Sequence, residues 1–299
     1  MSKTINNNED FKQAIRLYKE YHKTKKKYFK DKYESEYGII EEWDTENVTD
    51  MSRAFIRINS LYKDLSGWDV SNVINMDYMF HHTQYLYSNL SEWDVSNVKS
   101  MKYMFYHVDF IGFDISRWNV SCVKDMSNMF CKCRLDLANH NFSKWDVSNV
   151  ENMSNMFSNI ETFNNDISMW NVSKVKDMSN MFYNCKCFNR DLTRWDVSNV
   201  ENMSNMFYNC KGFNRDISKW NVSKVKDMSN MFYYCKSFNR DLTQWDVSNV
   251  KNYEKIFRGA TSYSYPYPNF NNTNPNSNNI THPNITHITN ITNIINIIK

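Results

Sequence analysis

Residues 195–219 read W-D-V-S-N-V-E-N-M-S-N-M-F-Y-N-C-K-G-F-N-R-D-I-S-K, and a near copy begins at Trp220. All the tryptophans of the chain mark this register: Trp43, Trp68, Trp93, Trp118, Trp145, Trp170, Trp195, Trp220 and Trp245. They fall 25 residues apart, except for a 27-residue interval between Trp118 and Trp145. A fixed period of this length signals a stacked array in which each unit buries its apolar face against its neighbours. The spacing predicts an α/β solenoid, a leucine-rich-repeat-like right-handed array of about nine coils, with one short parallel strand and one short helix per coil. At the usual inter-strand distance the stack is roughly 40 Å long. Three segments follow: 1–42 as an N-terminal amphipathic helical cap, 43–260 as the repeat solenoid, and 261–299 as a low-complexity, disordered tail.

Within a unit, Leu242-x-x-Trp245-x-Val247 has strand spacing, which puts Trp245 and Val247 on the buried face and Gln244, Asp246 and Ser248 outside. The M-S-N-M-F run is preceded in successive units by Asp50, Asn75, Ser100, Asp125, Asn152, Asp177, Asn202, Asp227 and Asn252. Each is a favoured helix N-cap, so a short helix is expected there, with Met203, Met206 and Phe207 packing back on the strand. The prolines all lie beyond residue 265, and only five glycines occur, so the strongest backbone breakers are nearly absent from the array. The longer unit predicts a loop or bulge between Cys131 and Phe142. In the C-terminal half, D-V-S-N-V-E-N-M alternates with N-V-S-K-V-K-D-M, a higher period of two units.

Net charge is only +3, but residues 1–33 hold ten Lys or Arg against four Asp or Glu. Phe11, Ala14, Ile15 and Tyr18 recur at helical spacing there, as a cap over the first coil requires. The basic run from Lys23 to Lys32 is a solvated helix face or, alternatively, a patch for nucleic acid or anionic lipid. No apolar run has the length of a secretory signal or a membrane span, so classical secretion is not expected. Four of the seven cysteines, Cys133, Cys185, Cys210 and Cys235, share one repeat position with Ile58, Thr83, Val108, Ile160 and Ala260. That substitution pattern describes a small buried pocket, not a disulfide frame or a metal site. After Thr261 the chain turns to Asn, Thr, Ile, Pro and Tyr, a composition with little core-forming capacity and some tendency to self-associate as β structure.

The unit W-D-V-S-N-V-x-x-M-S-x-M-F-x-x-C-x-x-F-N-x-D-L resembles that of BspA-type leucine-rich-repeat surface proteins, over residues 43 to about 260. The resemblance implies a binding or adhesion module without catalysis, of the kind found on mycoplasma-type lipoproteins and in large DNA viruses and protists. This chain shows no lipobox cysteine or anchor, which favours an intracellular array of viral or protist type.

Function is expected on the outward strand positions. One lane is Asp44, Asp69, Asp94, Asn119, Asp146, Asn171, Asp196, Asn221 and Asp246, beside serines from Ser71 to Ser248. It is read as a hydrogen-bonded ladder, with calcium binding as the alternative. The other lane varies from unit to unit: Gly67, Glu92, Arg117, Lys144, Met169, Arg194, Lys219 and Gln244. An unchanging framework with one differing exposed position is how an array presents a particular surface, and the basic half of this lane suits an acidic protein partner. The histidines, His22, His81, His82, His107, His140, His282 and His287, are read as sharing no register, and no nucleophile triad or phosphate-cradling glycine loop stands out. The expectation is a non-enzymatic protein-interaction scaffold with no cofactor. Its alternatives are a surface or virion adhesin and nucleic-acid binding through the basic N-terminal segment.

Overall fold

The computed structural model describes residues 5–111, 113–134 and 140–270. Successive repeats are joined through backbone in parallel register. Each residue of the column Asp50, Asn75, Ser100, Asp125, Asn152, Asp177, Asn202 and Asp227 bridges to its counterpart in the next repeat, the last of them to Asn252. Three two-residue strands, β1 (Ser60–Leu61), β2 (Tyr85–Leu86) and β3 (Phe110–Ile111), add a short parallel sheet in the order β1-β2-β3.

The M-S-N-M-F run differs from its helical expectation. Among the described residues it is a chain of turns in every repeat. Alternate N–H groups point two ways. Those of Met203, Asn205, Phe207 and Asn209 donate to the carbonyls of Asp227, Ser229, Met231 and Tyr233 in the next repeat, at 2.9, 2.8, 3.0 and 2.6 Å. Those of Met206, Tyr208 and Cys210 donate three residues back, to Met203, Asn205 and Phe207. A left-handed residue at every fourth position produces the alternation: Asn205 (φ 55°) and Asn209 (φ 57°) here, Asn180 and Asn184 one repeat earlier. Asparagine tolerates that conformation better than most side chains, because its amide bonds locally. An α-helix would have closed these N–H groups on their own segment and left nothing for the neighbour.

Corners are made by Asp and Asn in place of Gly and Pro. Each carboxylate or amide oxygen accepts from the N–H two residues on, an Asx turn. In the unit around Trp195 these are Asp196 to Ser198 (3.0 Å), Asn202 to Ser204 (3.0 Å) and Asp216 to Ser218 (2.9 Å). The column expected to cap helices does cap, but it caps turns. Likewise the W-D-V segment carries no backbone ladder to its neighbours among the described residues; its connection is through the indoles.

Identical residues stack on one another in the core. Phe55, Phe80, Phe105, Phe130, Phe157, Phe182, Phe207, Phe232 and Phe257 form one column, with ring centroids 5.4–6.1 Å apart and planes within 12°. A second column runs Phe163, Phe188, Phe213, Phe238 and Tyr263. From Trp68 to Trp245 every tryptophan is buried, and its Nε1–H donates to a carbonyl of the preceding repeat; Trp195, for example, donates to the Ile167 carbonyl at 3.1 Å. Cys133, Cys185, Cys210 and Cys235 are buried free thiols whose Sγ lies 2.7–3.1 Å from the carbonyls of Phe105, Phe157, Phe182 and Phe207. Thr83 at the same position bonds Phe55 in the same way, so the pocket favours a small side chain with a donor.

The two-repeat period acquires a physical meaning. Lys176 pairs with Glu151 and Lys226 with Glu201, at 2.7 and 2.6 Å, while Lys174 and Lys224 bond Asn149 and Asn199. Exposed pairs of this kind contribute about 0–1 kcal/mol each, so they tune register more than stability.

The N-terminal cap is two helices, α1 (Asn8–Thr24) and α2 (Lys27–Tyr37), separated by left-handed Lys25. Phe11 meets Trp43 and Trp68 edge-on, and Tyr18 meets Phe55. The Asn8 Oδ1 accepts from the N–H groups of Thr49 and Asp50 at 2.9 and 3.1 Å. One repeat later the Thr49 carbonyl accepts from Ile74 and Asn75 in the same way, so a side chain of α1 stands in for the carbonyl of an absent repeat. At the other end, part of the segment expected to be a free tail is packed. Tyr263 stacks on Phe257, Tyr267 on Phe257 and Phe270 on Tyr253. Residues 271–299, and 135–139 of the expected loop between Cys131 and Phe142, lie outside the described residues.

Trp195→Ala removes a buried indole and orphans the Ile167 carbonyl bond. It should cost about 3–5 kcal/mol, read as a lower urea midpoint; an unchanged midpoint would contradict a load carried by the indole column.

Candidate functional site

The variable lane is exposed along its whole length: Gly67, Glu92, Arg117, Lys144, Met169, Arg194, Lys219 and Gln244 all lie at the surface. What places it there is local. Each lane residue sits between a buried residue two positions before it, such as Leu192 or Ile217, and the buried tryptophan that follows. The carbonyl of that preceding residue receives the next repeat's indole N–H: Leu192 from Trp220 and Ile217 from Trp245, each at 3.1 Å. Lane positions are thus fixed at their backbone, and only their side chains differ. Arg194 extends toward its neighbour, with Nη1 3.3 Å from the Met169 sulfur.

A second basic row, which the sequence reading passed over, runs on the same return segment. Arg190, Arg215 and Arg240 are exposed, and each Nε donates to the carbonyl of Asn164, Asn189 or Asn214 in the preceding repeat. Their signal was present in the recurring F-N-R-D, but the asparagine drew no attention as an inter-repeat acceptor. Asp191 and Asp216 beside this row are held below the usual carboxylate range, first by the N–H bonds of Thr193 and Ser218 and then by nearby arginine charge.

The Asp/Asn lane has a local occupation. Asp69, Asp94, Asn119, Asp146, Asn171, Asp196, Asn221 and Asp246 each accept from the N–H two residues on, at 2.9–3.2 Å. Among the described residues no group of three His, Cys, Asp or Glu side chains is arranged to hold a metal ion. The buried thiols are pushed up in pKa by desolvation, which makes them poor nucleophiles.

One cluster was misread in the sequence. His82 and His107 do share a register, 25 residues apart, and their Nδ1 atoms lie 3.0 Å apart. His81 stacks on Tyr106 at 4.8 Å, and its Nδ1 is buried without a hydrogen-bond partner. Burial, then the His82 and Arg57 charges, lower the pKa of His81 to about 4. Tyr78 and Tyr103 stack beside them, with Arg53 over the Tyr78 ring. Cations around this cluster disfavour protonation and any bound cation alike.

Stacked ladders of identical side chains, one framework and one varying lane define a tandem-repeat protein. Three overlapping stretches, residues 23–136, 109–199 and 188–294, match the family described as "Mycoplasma protein of unknown function, DUF285". The chain belongs to that family. No curated protein and no solved structure matches it. No helix among the described residues is long and apolar enough to cross a membrane.

Histidine supplies a pH test of the cluster. An unfolded chain protonates His81 near pH 6.5, the folded one near 4, so between these values the unfolded state binds more protons and stability falls as pH falls. The His82 pKa is lowered in the same direction. The urea midpoint should therefore drop between pH 7 and pH 5, and His81→Asn should make that drop smaller. An equal drop in the variant would remove His81 from the cause.

Proposed function

We propose that this chain is a non-enzymatic protein-interaction scaffold, a solenoid whose coils are the 25-residue repeats and whose working face is the lane Glu92, Arg117, Lys144, Met169, Arg194, Lys219 and Gln244. The observation that carries the reading is the contrast within each repeat. Buried framework positions hold the same residue type from coil to coil, while the exposed lane between them changes at nearly every step. Rigid elements with one variable surface suit recognition of an extended partner. Arg117, Lys144, Arg194 and Lys219, flanked by Arg190, Arg215 and Arg240, suit an acidic partner.

The finer placement, among BspA-type leucine-rich-repeat proteins, is supported by the W-D-V-S-N-V unit. It brings a second reading, an adhesin displayed on a cell or virion surface, against an intracellular scaffold. Fractionation of the native source separates the two: association with the outer surface, sensitive to protease added to intact particles, belongs to the adhesin.

The lane is tested by capture from host lysate with the full chain, alongside a variant carrying Glu at Arg117, Lys144, Arg194 and Lys219. A protein held by the parent and lost by an equally stable variant is expected. Identical capture by both would dismiss the lane as a binding face.

A further inference from the structure

A different surface lies where α1 runs along the first repeats. A cleft of about 700 Å³ opens there, lined by Lys19, His22, Lys23 and Lys25 from the helical cap and by Arg57 and Tyr62 from the repeat. A second cleft, about 380 Å³, adjoins it along α1, shares Lys19 and adds Arg16 and Arg53. Two rows of cations therefore face each other across one seam. Lys12, which also lines the second cleft, pairs with Glu9 and Asp50 at 3.6 and 3.7 Å; among the described residues the other six Lys and Arg side chains form no ion pair, and the one acid lining the seam is Glu20. Lys19 donates to the Arg53 carbonyl at 3.1 Å, and its pKa is lowered first by burial and then by the Arg53 charge. Lys25, Arg53 and Arg57 occupy left-handed backbone positions, which fixes where their side chains start.

At the mouth of the larger cleft stands an aromatic stack. Tyr62 is 71% exposed, although it lies on Tyr87, with centroids 4.8 Å apart and planes at 12°; Tyr87 in turn faces Tyr85 at 6.2 Å. Exposed tyrosines stacked on one another leave a flat ring for a further planar group.

We propose that this seam binds single-stranded nucleic acid, with the phosphates between the α1 cations and Arg53 and Arg57 and a base on Tyr62. A cationic groove that tracks a backbone, ending on an aromatic platform, is the physical arrangement that such ligands need. An acidic peptide would use the cations and gain nothing from the tyrosines, and a duplex keeps its bases stacked within itself and away from Tyr62. The seam is separate from the variable lane, and neither reading depends on the other.

The test is fluorescence anisotropy of the full chain with a labelled oligothymidylate of about 20 nucleotides. Affinity should fall about tenfold or more between about 50 and 200 mM salt, as counterion release from a few phosphates requires. Lys23→Glu with Arg57→Glu should abolish binding, while Glu at Arg194 and Lys219, the same change of charge placed on the lane, should leave most of it. Tyr62→Ala should weaken oligothymidylate at least fivefold and leave binding of inorganic polyphosphate unchanged. Unaltered thermal melting shows that each variant is folded; the exposed Lys23→Gln replaces the double variant if that one melts early. No salt-sensitive binding, equal loss with the lane variant, or indifference to Tyr62→Ala would overturn the proposal. So would displacement of the oligonucleotide by polyglutamate at equal charge, which would reassign the seam to acidic protein segments.

Discussion

The alternation of N–H directions along the turn segment is the constraint on which the rest depends. If every N–H from Met203 to Cys210 closed on its own segment, this repeat would keep only a few backbone bonds to its neighbours, such as those from the Glu201 and Gly212 N–H groups to the Lys176 and Lys186 carbonyls. Because every second one reaches the next repeat, a single rise along the stack is imposed on all the columns. That rise is close enough for phenyl rings to stack, for an indole to reach the carbonyl 28 residues before it, and for Lys176 to meet Glu151. The cost is a left-handed residue at every fourth position, about 1–2 kcal/mol where the side chain is not Gly, Asn or Asp. The repeats from Asn155 to Asn230 meet this with asparagine, while the earlier ones place Arg53, Tyr78 and His107 there and the last place Tyr234 and Lys255. Stability is in this sense purchased unevenly along the array.

Much of this was legible in the sequence, and the limits are instructive. The tryptophan interval gave the register and the identity of the buried positions, because a side chain too large to be tolerated elsewhere marks one site per turn of the stack. The D-x-S corners were legible as capping residues. What they cap was not: Met203, Met206 and Phe207 have the spacing of a helical face, and a run of linked turns presents the same spacing. The deciding residues were Asn205 and Asn209, four apart, whose left-handed backbone is a statement about neighbours in space. Likewise Asn8 reads as a helix cap in isolation, yet its amide oxygen serves Thr49 and Asp50, 41 and 42 residues away.

Of the surfaces, the lane could be found from sequence because it is a column of the repeat, and any column is a list of residues 25 apart. Arg190, Arg215 and Arg240 form such a column too, and were available to the same reading. The cationic seam was not. Lys23 and Lys25 belong to a visible basic run, but Arg57 and Tyr62 are unremarkable members of the first repeat, and only the docking of α1 sets them opposite Lys19. Non-periodic sites of this type arise where an array meets its cap, since unlike elements face each other there.

The ends and the middle of the array have different evolutionary freedom. Asn8 occupies backbone donors of the first rung, and the rings of Tyr263, Tyr267 and Phe270 cover the last, so a new unit would find backbone partners taken at the first end and a ring layer in place at the other. A unit inserted in the interior meets open partners on both sides. There the charge alternation is a local feature of Glu151, Lys176, Glu201 and Lys226: two extra units would preserve it and one would interrupt it, as Lys251 already does after Lys226 and Lys124 after Lys99. A unit duplicated from within therefore keeps its neighbours on both sides, whereas one appended at either end must first displace the groups that cover it.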